Sequence, residues 1–198
     1  MSSTATTRRS SRALSTTDLA LIATFAAFIA VCAIMPALGT NASGVEFTLQ
    51  MFGIFVTAGV LGARRGALAV LLYLAVGTAG VPIFAGQTGG PSAWTSASGG
   101  YLVAFPVAAF LVGIVGTAFA RRNQAVLTIA LSVAAAVVTV AVVGVLGAIG
   151  MSIKLDVDFA AAWAYATPFF VFDIIKGVIA AIVAAAVHRA FPQLVARR

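Results

Sequence analysis

The stretch PFFVFDIIKGVIAA, residues 168–181, has the composition of a membrane-spanning helix, except that two charged side chains interrupt its apolar run. Asp173 and Lys176 lie three positions apart, so on a helix they share one face. A charge inside a membrane core costs roughly 2.5–3.5 kcal/mol on insertion scales, and we therefore expect this face to point into protein or a wet cavity. Such groups usually mark a ligand or ion pathway. The alternative is a structural ion pair in which each charge neutralises the other.

The composition of the whole chain indicates a membrane protein. Of 198 residues, 62% are hydrophobic and 9% are charged, and the mean hydropathy is +1.10, which lies outside the range of soluble domains. A single cysteine, Cys32, excludes an intrachain disulfide and a cysteine-based metal site. No Gly-Lys-Ser/Thr sequence is present, so a P-loop is excluded. With one histidine, His188, a serine-histidine active site is poorly supported, and we predict neither an enzyme nor a bound cofactor or metal.

Polar breaks divide the chain into six apolar runs, each close to the roughly 20 residues that cross a bilayer. We predict an all-α membrane protein with six transmembrane helices at 18–37, 47–63, 66–85, 101–120, 125–149 and 160–188. These helices form one transmembrane domain over 18–190. A disordered cytoplasmic tail, 1–17, precedes it, and a basic cytoplasmic tail, 191–198, follows it.

The arginines predict the orientation, because cytoplasmic loops carry an excess of basic residues. Ten of the twelve basic residues fall on one side if the N-terminus is cytoplasmic: Arg8, Arg9, Arg12, Arg64, Arg65, Arg121, Arg122, Arg189, Arg197 and Arg198. Both termini are therefore expected in the cytoplasm. The outer loops are then 38–46, 86–100 and 150–159.

The last apolar run is longer than one crossing requires, and Pro168 offers an explanation. Thr167 can act as N-cap and Pro168 as the first helical residue, where its missing N–H costs nothing. Asp173 and Lys176 would then lie about 8 and 12 Å below the outer end, in the outer half of the membrane. The residues before Pro168 would form a short outer-leaflet piece. A single helix kinked at Pro168 is the alternative.

The predicted outer loop GQTGGPSAWTSASGG, residues 86–100, contains glycines, hydroxyl groups, Gln87 and Trp94 but no charge. These groups suit the capture of a small, mostly uncharged ligand with an apolar body. A mobile exterior loop is the plainer interpretation. In the first span, Ala23 with Ala27 and Ala26 with Ala30 form small-xxx-small pairs, which allow close helix packing within the chain or against a partner.

Three segments together resemble the BioY family, the biotin-binding S components of energy-coupling-factor (ECF) vitamin transporters. They are FTLQMFGIFVTAGVLGARRGALAVLLYLAVGTAGVPIFAG at 47–86, SGGYLVAFPVAAFLVG at 98–113 and DIIKG at 173–177. The likeness extends over about residues 20–190. Two positions depart from the family pattern: Ala97-Ser98 replaces the usual proline-threonine before GGY, and Val171-Phe172 replaces a common proline-glycine.

This resemblance implies a six-helix S-component fold in a bacterial plasma membrane, with biotin held near the outer face. Asp173 and Lys176 match the family's aspartate-lysine pair, and the full set of predicted biotin contacts is Asp173, Lys176, Gln87, Tyr101, Gly99, Gly100, Gln50 and Trp94. The implied partners are a transmembrane coupling subunit, which would dock on Ala23 and Ala27, and two ATPase subunits.

Biotin also suits the pair chemically, since its ureido ring has two N–H donors and one carbonyl acceptor, while its tail ends in a carboxylate. Lys176 could pair with the carboxylate or donate to the ureido oxygen, and Asp173 could accept a ureido N–H or hold the lysine in place. A rival function is a self-sufficient secondary transporter in which Asp173 couples uptake to protons. Six spans without evident internal duplication weigh against it.

Overall fold

The computed structural model describes residues 14–192, and helices dominate this part of the chain. Within it the only β pairing consists of two isolated bridges, Thr40 with Glu46 and Phe84 with Thr88. The helices are α1 (Thr16–Ile34), α2 (Gln50–Leu61), α3 (Ala63–Thr78), α4 (Gly99–Phe119), α5 (Gln124–Val138), α6 (Val145–Leu155) and α7 (Phe159–Ala190). The all-α prediction is therefore confirmed. The predicted tails lie almost entirely outside the described residues.

Within residues 14–192, four helical segments are long and apolar enough to cross a membrane: α1, α4, α7 and the continuous stretch Gln124–Leu155. That stretch joins α5 to α6 through a π-helical segment, Thr139–Gly144. The remaining two predicted spans correspond to α2, with 12 residues, and α3, with 16 residues. Each predicted run thus contains a helix, but α3 ends at Thr78, well before the predicted end of its span at residue 85. Six complete crossings remain a prediction.

The N-termini of α1 and α7 have side-chain caps that explain where these helices begin. Ser15 and Asp18 form a capping box, with the Ser15 hydroxyl accepting from the Asp18 N–H and the Asp18 carboxylate accepting from the Ser15 N–H. In α7 the Asp158 carboxylate accepts from the Ala161 N–H. Such caps satisfy backbone donors that have no partner inside the helix.

The prediction that Pro168 begins the last helix is wrong. Pro168 lies inside α7, which runs unbroken for 32 residues from Phe159. Thr167 is not a cap, since its hydroxyl donates to the Trp163 carbonyl at 3.0 Å. The helix continues because an apolar medium offers its backbone no other partners, while Asp158 supplies a better start. Asp173 is therefore about 21 Å along the helix axis from its first residue, near the middle of the helix.

The predicted outer loop at 150–159 is also shorter than expected. Helix α6 continues to Leu155, and Asp156 adopts a left-handed conformation with φ 53° as its C-cap. Only residues 156–158 separate α6 from α7. Aspartate is one of the few residues with a side chain that tolerates this conformation, which lets the chain reverse within three residues.

Small residues allow the helices to approach closely. Gly62, with φ 80°, forms the sharp turn between α2 and α3, and a side chain on Gly113 of α4 would lie 2.5 Å from the Ala63 nitrogen. Gly100 and Gly150 place the backbones of α4 and α6 in direct contact. In this packing α2 contacts both α4 and α7.

Candidate functional site

A cavity of about 600 Å³ opens at the end of the bundle that carries the α1–α2 and α3–α4 connections. Its walls come from the start of α2, both connections, the start of α4 and the middle of α7. This volume lies within the range of small-molecule sites, roughly 300–1,000 Å³. Phe84, Phe105 and Phe169 supply apolar surface to the walls.

Asp173 and Lys176 lie on the α7 wall of this cavity and form an ion pair. The Lys176 Nζ is 2.8 Å from the Asp173 Oδ1 and also donates to the Thr48 carbonyl at 2.7 Å. Asp173 is 3% exposed and Lys176 is 6% exposed, so water screens the pair weakly. Of the three ammonium N–H donors, the hydrogen bonds found among residues 14–192 occupy two. The pair therefore presents both a carboxylate acceptor and a further ammonium donor at the cavity wall.

Gln50 lines the cavity at the first turn of α2 and is held in place by a buried chain of hydrogen bonds. Its amide N–H donates to the Tyr73 hydroxyl at 2.9 Å, and that hydroxyl donates to the Ile83 carbonyl at 3.1 Å. The chain fixes the amide orientation and ties α3 to the α3–α4 connection. Tyr73 thus positions a wall residue without itself lining the cavity.

Tyr101 lines the cavity and carries a buried hydroxyl without a hydrogen-bond partner among the described residues. The residue is 7% exposed. Its ring packs near Phe169, with centroids 5.5 Å apart, and against Gly147, where a side chain would overlap the ring. A buried hydroxyl without a partner costs about 1–3 kcal/mol. A ligand group that formed a hydrogen bond with this hydroxyl would remove that cost.

The sequence-predicted contacts separate into two groups. Asp173, Lys176, Gln50 and Tyr101 come together around the cavity, although they lie far apart in the chain.

The other four, Gln87, Trp94, Gly99 and Gly100, do not line it. The Trp94 indole instead donates to the Thr78 hydroxyl at 2.8 Å. The two glycines serve close backbone packing, Gly99 against Trp94 and Gly100 against α6.

Most wall residues were not among the predicted contacts, including Glu46, Thr48, Phe84 and Phe169. Thr48 belongs to the TLQ turn, but the group that contacts Lys176 is its backbone carbonyl, which no side-chain pattern reveals. Phe84 fits into a notch at Gly77, where a side chain would overlap its ring. Phe169 sits one turn before Asp173 on the same face of α7, a spacing that could have identified it.

The α3–α4 connection is ordered into two 3₁₀ turns, Ala85–Gln87 and Pro91–Thr95. It covers one side of the cavity. The α1–α2 connection covers the other side and is tied to the helices by Asn41, whose side-chain amide donates to the Tyr165 carbonyl at 2.9 Å. Among residues 14–192, no cluster of three or more histidine, cysteine, aspartate or glutamate side chains could hold a metal ion.

Comparison with known proteins gives concordant matches. The model of the BioY family matches residues 4–193. The biotin transporter BioY of Rhizobium etli is 33% identical over 186 residues, which cover 93% of this chain and 100% of that protein. The biotin transporter BioY of Thermotoga maritima is 35% identical over 71% of this chain and 79% of that protein.

Among solved structures, the S-component for biotin from an ECF-type ABC transporter matches with a TM-score of 0.77. The match covers 87% of this chain and 91% of that chain at 24% sequence identity. At this identity the likeness shows the fold, which is that of an S component.

Proposed function

The chain belongs to the BioY family, and on that premise we propose that it binds biotin in the cavity and captures it for uptake across the membrane. It is a multi-pass membrane transporter protein, not an enzyme, and biotin is its cargo. The observation that carries the proposal is the buried Asp173–Lys176 pair on the wall of an otherwise largely apolar cavity.

The charge balance of the pair favours one orientation of biotin. The pair is neutral as a whole, and a carboxylate placed against it would leave a net negative charge in a buried site, which is costly. The ureido ring is neutral and offers two donors and one acceptor, which complement the Asp173 carboxylate and the remaining Lys176 N–H. We therefore place the ureido ring at the pair, the Tyr101 hydroxyl within reach of the bicyclic head, and the carboxylate tail toward the cavity mouth.

Biotin binding to the detergent-purified protein tests the proposal directly. Titration with biotin should show saturable, tight binding at one site per chain, and excess unlabelled biotin should displace a labelled sample. Riboflavin, a vitamin that lacks the fused ureido and thioether rings of biotin, provides the negative control. Absence of saturable biotin binding by the folded wild-type protein would refute the proposal.

For the membrane topology we propose six crossings with both termini in the cytoplasm. Arg122 and Arg189 border one pocket at the end of the bundle opposite the cavity, and Arg65 forms an ion pair with Asp18 near the start of α1. This clustering of arginines at one end supports the orientation, because basic loops remain on the cytoplasmic side. The cavity then faces outward, toward the source of biotin. Labelling of single cysteines at positions 43 and 121 from either side of the membrane tests this orientation.

For the partners we propose an ECF module, with the coupling subunit docking on α1. Ala23 and Ala27 are exposed on this helix, whereas Ala26 is buried against the chain. The outward pair is therefore free for close packing against a partner helix, while the inward face serves the fold itself. An S-component fold with an outward small-residue pair supports this assignment.

Ala23→Trp and Ala27→Trp should abolish co-purification with the coupling subunit and leave biotin affinity unchanged, since neither residue lines the cavity. Val133→Trp, at a position that is 58% exposed on α5, is the matched control and should retain assembly. Retained assembly in both alanine variants would refute the docking surface. Biotin uptake by the chain alone in vesicles, driven by a pH gradient, would instead support a self-sufficient proton-coupled transporter.

A further inference from the structure

Glu46 is a wall residue of the cavity that the ureido-binding pair does not explain. It lies on the α1–α2 connection, is partly buried and lines the cavity. Its carboxylate faces Gly86 of the opposite connection, where an added side-chain carbon would be 3.2 Å from the Glu46 Oε1. Gly86 has φ 66°, a conformation that side chains rarely adopt. Glu46 therefore sits at the seam between the two connections that cover the cavity.

The charges of the cavity wall do not balance at this seam. Its charged residues are Glu46, Asp173 and Lys176, and the last two neutralise each other at 2.8 Å. Over residues 14–192, the ion pairs are Asp18–Arg65 and Asp173–Lys176, so no cation of the described chain pairs with Glu46. The cavity wall thus carries one uncompensated negative charge, and it lies at the seam between the two connections.

We propose that Glu46 sets the preference of the site for the charge at the end of the ligand tail. The inference rests on the proposed function, with the ureido ring at the deep pair and the tail toward the mouth. An ionised tail carboxylate then approaches Glu46 and is repelled, while a neutral amide is not and a cationic tail is attracted. The substrate class accordingly includes biotin amides with neutral or basic tails, such as biotin joined to an amine, in addition to free biotin.

The start of α4 acts in the opposite direction on a carboxylate. Ser96 and Ser98 also line the cavity, just before the α4 N-terminus at Gly99, and the partial positive charge of a helix N-terminus attracts anions. Free biotin can therefore bind despite Glu46. Because this attraction is the same in all variants at Glu46, comparison of variants isolates the effect of the glutamate.

Three ligands that differ in tail charge test the inference: biotin, biotinamide and N-(2-aminoethyl)biotinamide, which are anionic, neutral and cationic at neutral pH. Each is titrated against the wild type, Glu46→Gln and Glu46→Lys in low-salt buffer. In Glu46→Gln we expect biotin to bind about two- to fivefold tighter, biotinamide to bind equally and the cationic amide to bind about two- to fivefold weaker, as for partly exposed charges. Glu46→Lys should enlarge both changes in the same directions.

Asp158→Asn is the matched control, since it removes one negative charge near the same end of the bundle. Asparagine can still cap α7, and residue 158 lies outside the cavity wall. It should leave all three affinities unchanged. If the three ligands bind the wild type but their relative affinities do not change in either Glu46 variant, the inference is overturned while biotin binding stands. If the folded wild type binds none of them, the proposed function fails and the inference fails with it.

Discussion

Replacing Lys176 with methionine separates a structural ion pair from a ligand-binding one. The Lys176 ammonium contacts the Asp173 carboxylate at 2.8 Å and the Thr48 carbonyl at 2.7 Å, in a place where both charged residues are at most 6% exposed. Lys176→Met leaves the Asp173 carboxyl group buried and without its partner. Breaking a buried pair in this way costs about 3–5 kcal/mol. The ligand-free variant should therefore unfold at a clearly lower temperature than the wild type.

The double variant Asp173→Asn with Lys176→Met removes both charges and keeps similar side-chain volumes. Neutral replacements of a buried pair are often close to neutral for stability, so most of the loss in the single variant should be regained. Biotin affinity should not be regained, because the charge-assisted hydrogen bonds to the ureido ring are gone. Each such bond contributes about 1.5–3 kcal/mol, so loss of one weakens binding about 10- to 150-fold.

The assay combines thermal unfolding in detergent without biotin and equilibrium titration with biotin on the same samples. Lys154→Met is the matched control, since Lys154 is exposed and lies outside the cavity wall. It should match the wild type in both measurements. Wild-type affinity in the double variant would refute the ligand-binding role and leave the pair purely structural. Wild-type stability in Lys176→Met would refute the stabilising ion pair itself.

Two further predictions concern the wall and the cover of the cavity. Tyr101→Phe removes a buried hydroxyl that has no partner in the described chain. The ligand-free variant should be at least as stable as the wild type and yet bind biotin about two- to tenfold more weakly, as measured by thermal unfolding and titration. Lower stability together with unchanged affinity would contradict this role. Trp94→Phe removes the indole donor to Thr78 and should speed biotin dissociation about two- to tenfold in a chase experiment. Thr78→Val alone should give the same change, and the double variant should dissociate no faster than either single variant. Additive changes would show that the two residues act separately.

The fold class and the family could be predicted from sequence because their signals are local. Apolar runs of about 20 residues and flanking arginines are readable in short windows, and the predicted all-helical architecture and BioY resemblance are confirmed. Pro168 misled the prediction because a proline can begin a helix or lie within one. The choice depended on Asp158, a competing cap ten residues earlier.

The site could be predicted only in part, because the sequence does not show which loop side chains face the cavity. The charges on α7 drew attention because they are costly in a membrane, and Gln50 and Tyr101 came from motifs of the family resemblance. Trp94 was predicted as a contact from its place in a neutral loop, yet its indole bonds to Thr78 at the end of α3. Composition indicates what a loop can bind but not which side chains face the cavity.

The amino-acid sequence alone identifies a helical membrane protein with a charged face on its last helix. Hydropathy and charge cost act residue by residue, so no neighbour is needed to read them. The contacts of that face follow from the tertiary structure. The Thr48 carbonyl that holds Lys176, the unsatisfied Tyr101 hydroxyl and the uncompensated Glu46 carboxylate come from different helices and connections. Their meeting follows from close backbone packing at small residues, which brings distant segments to one cavity.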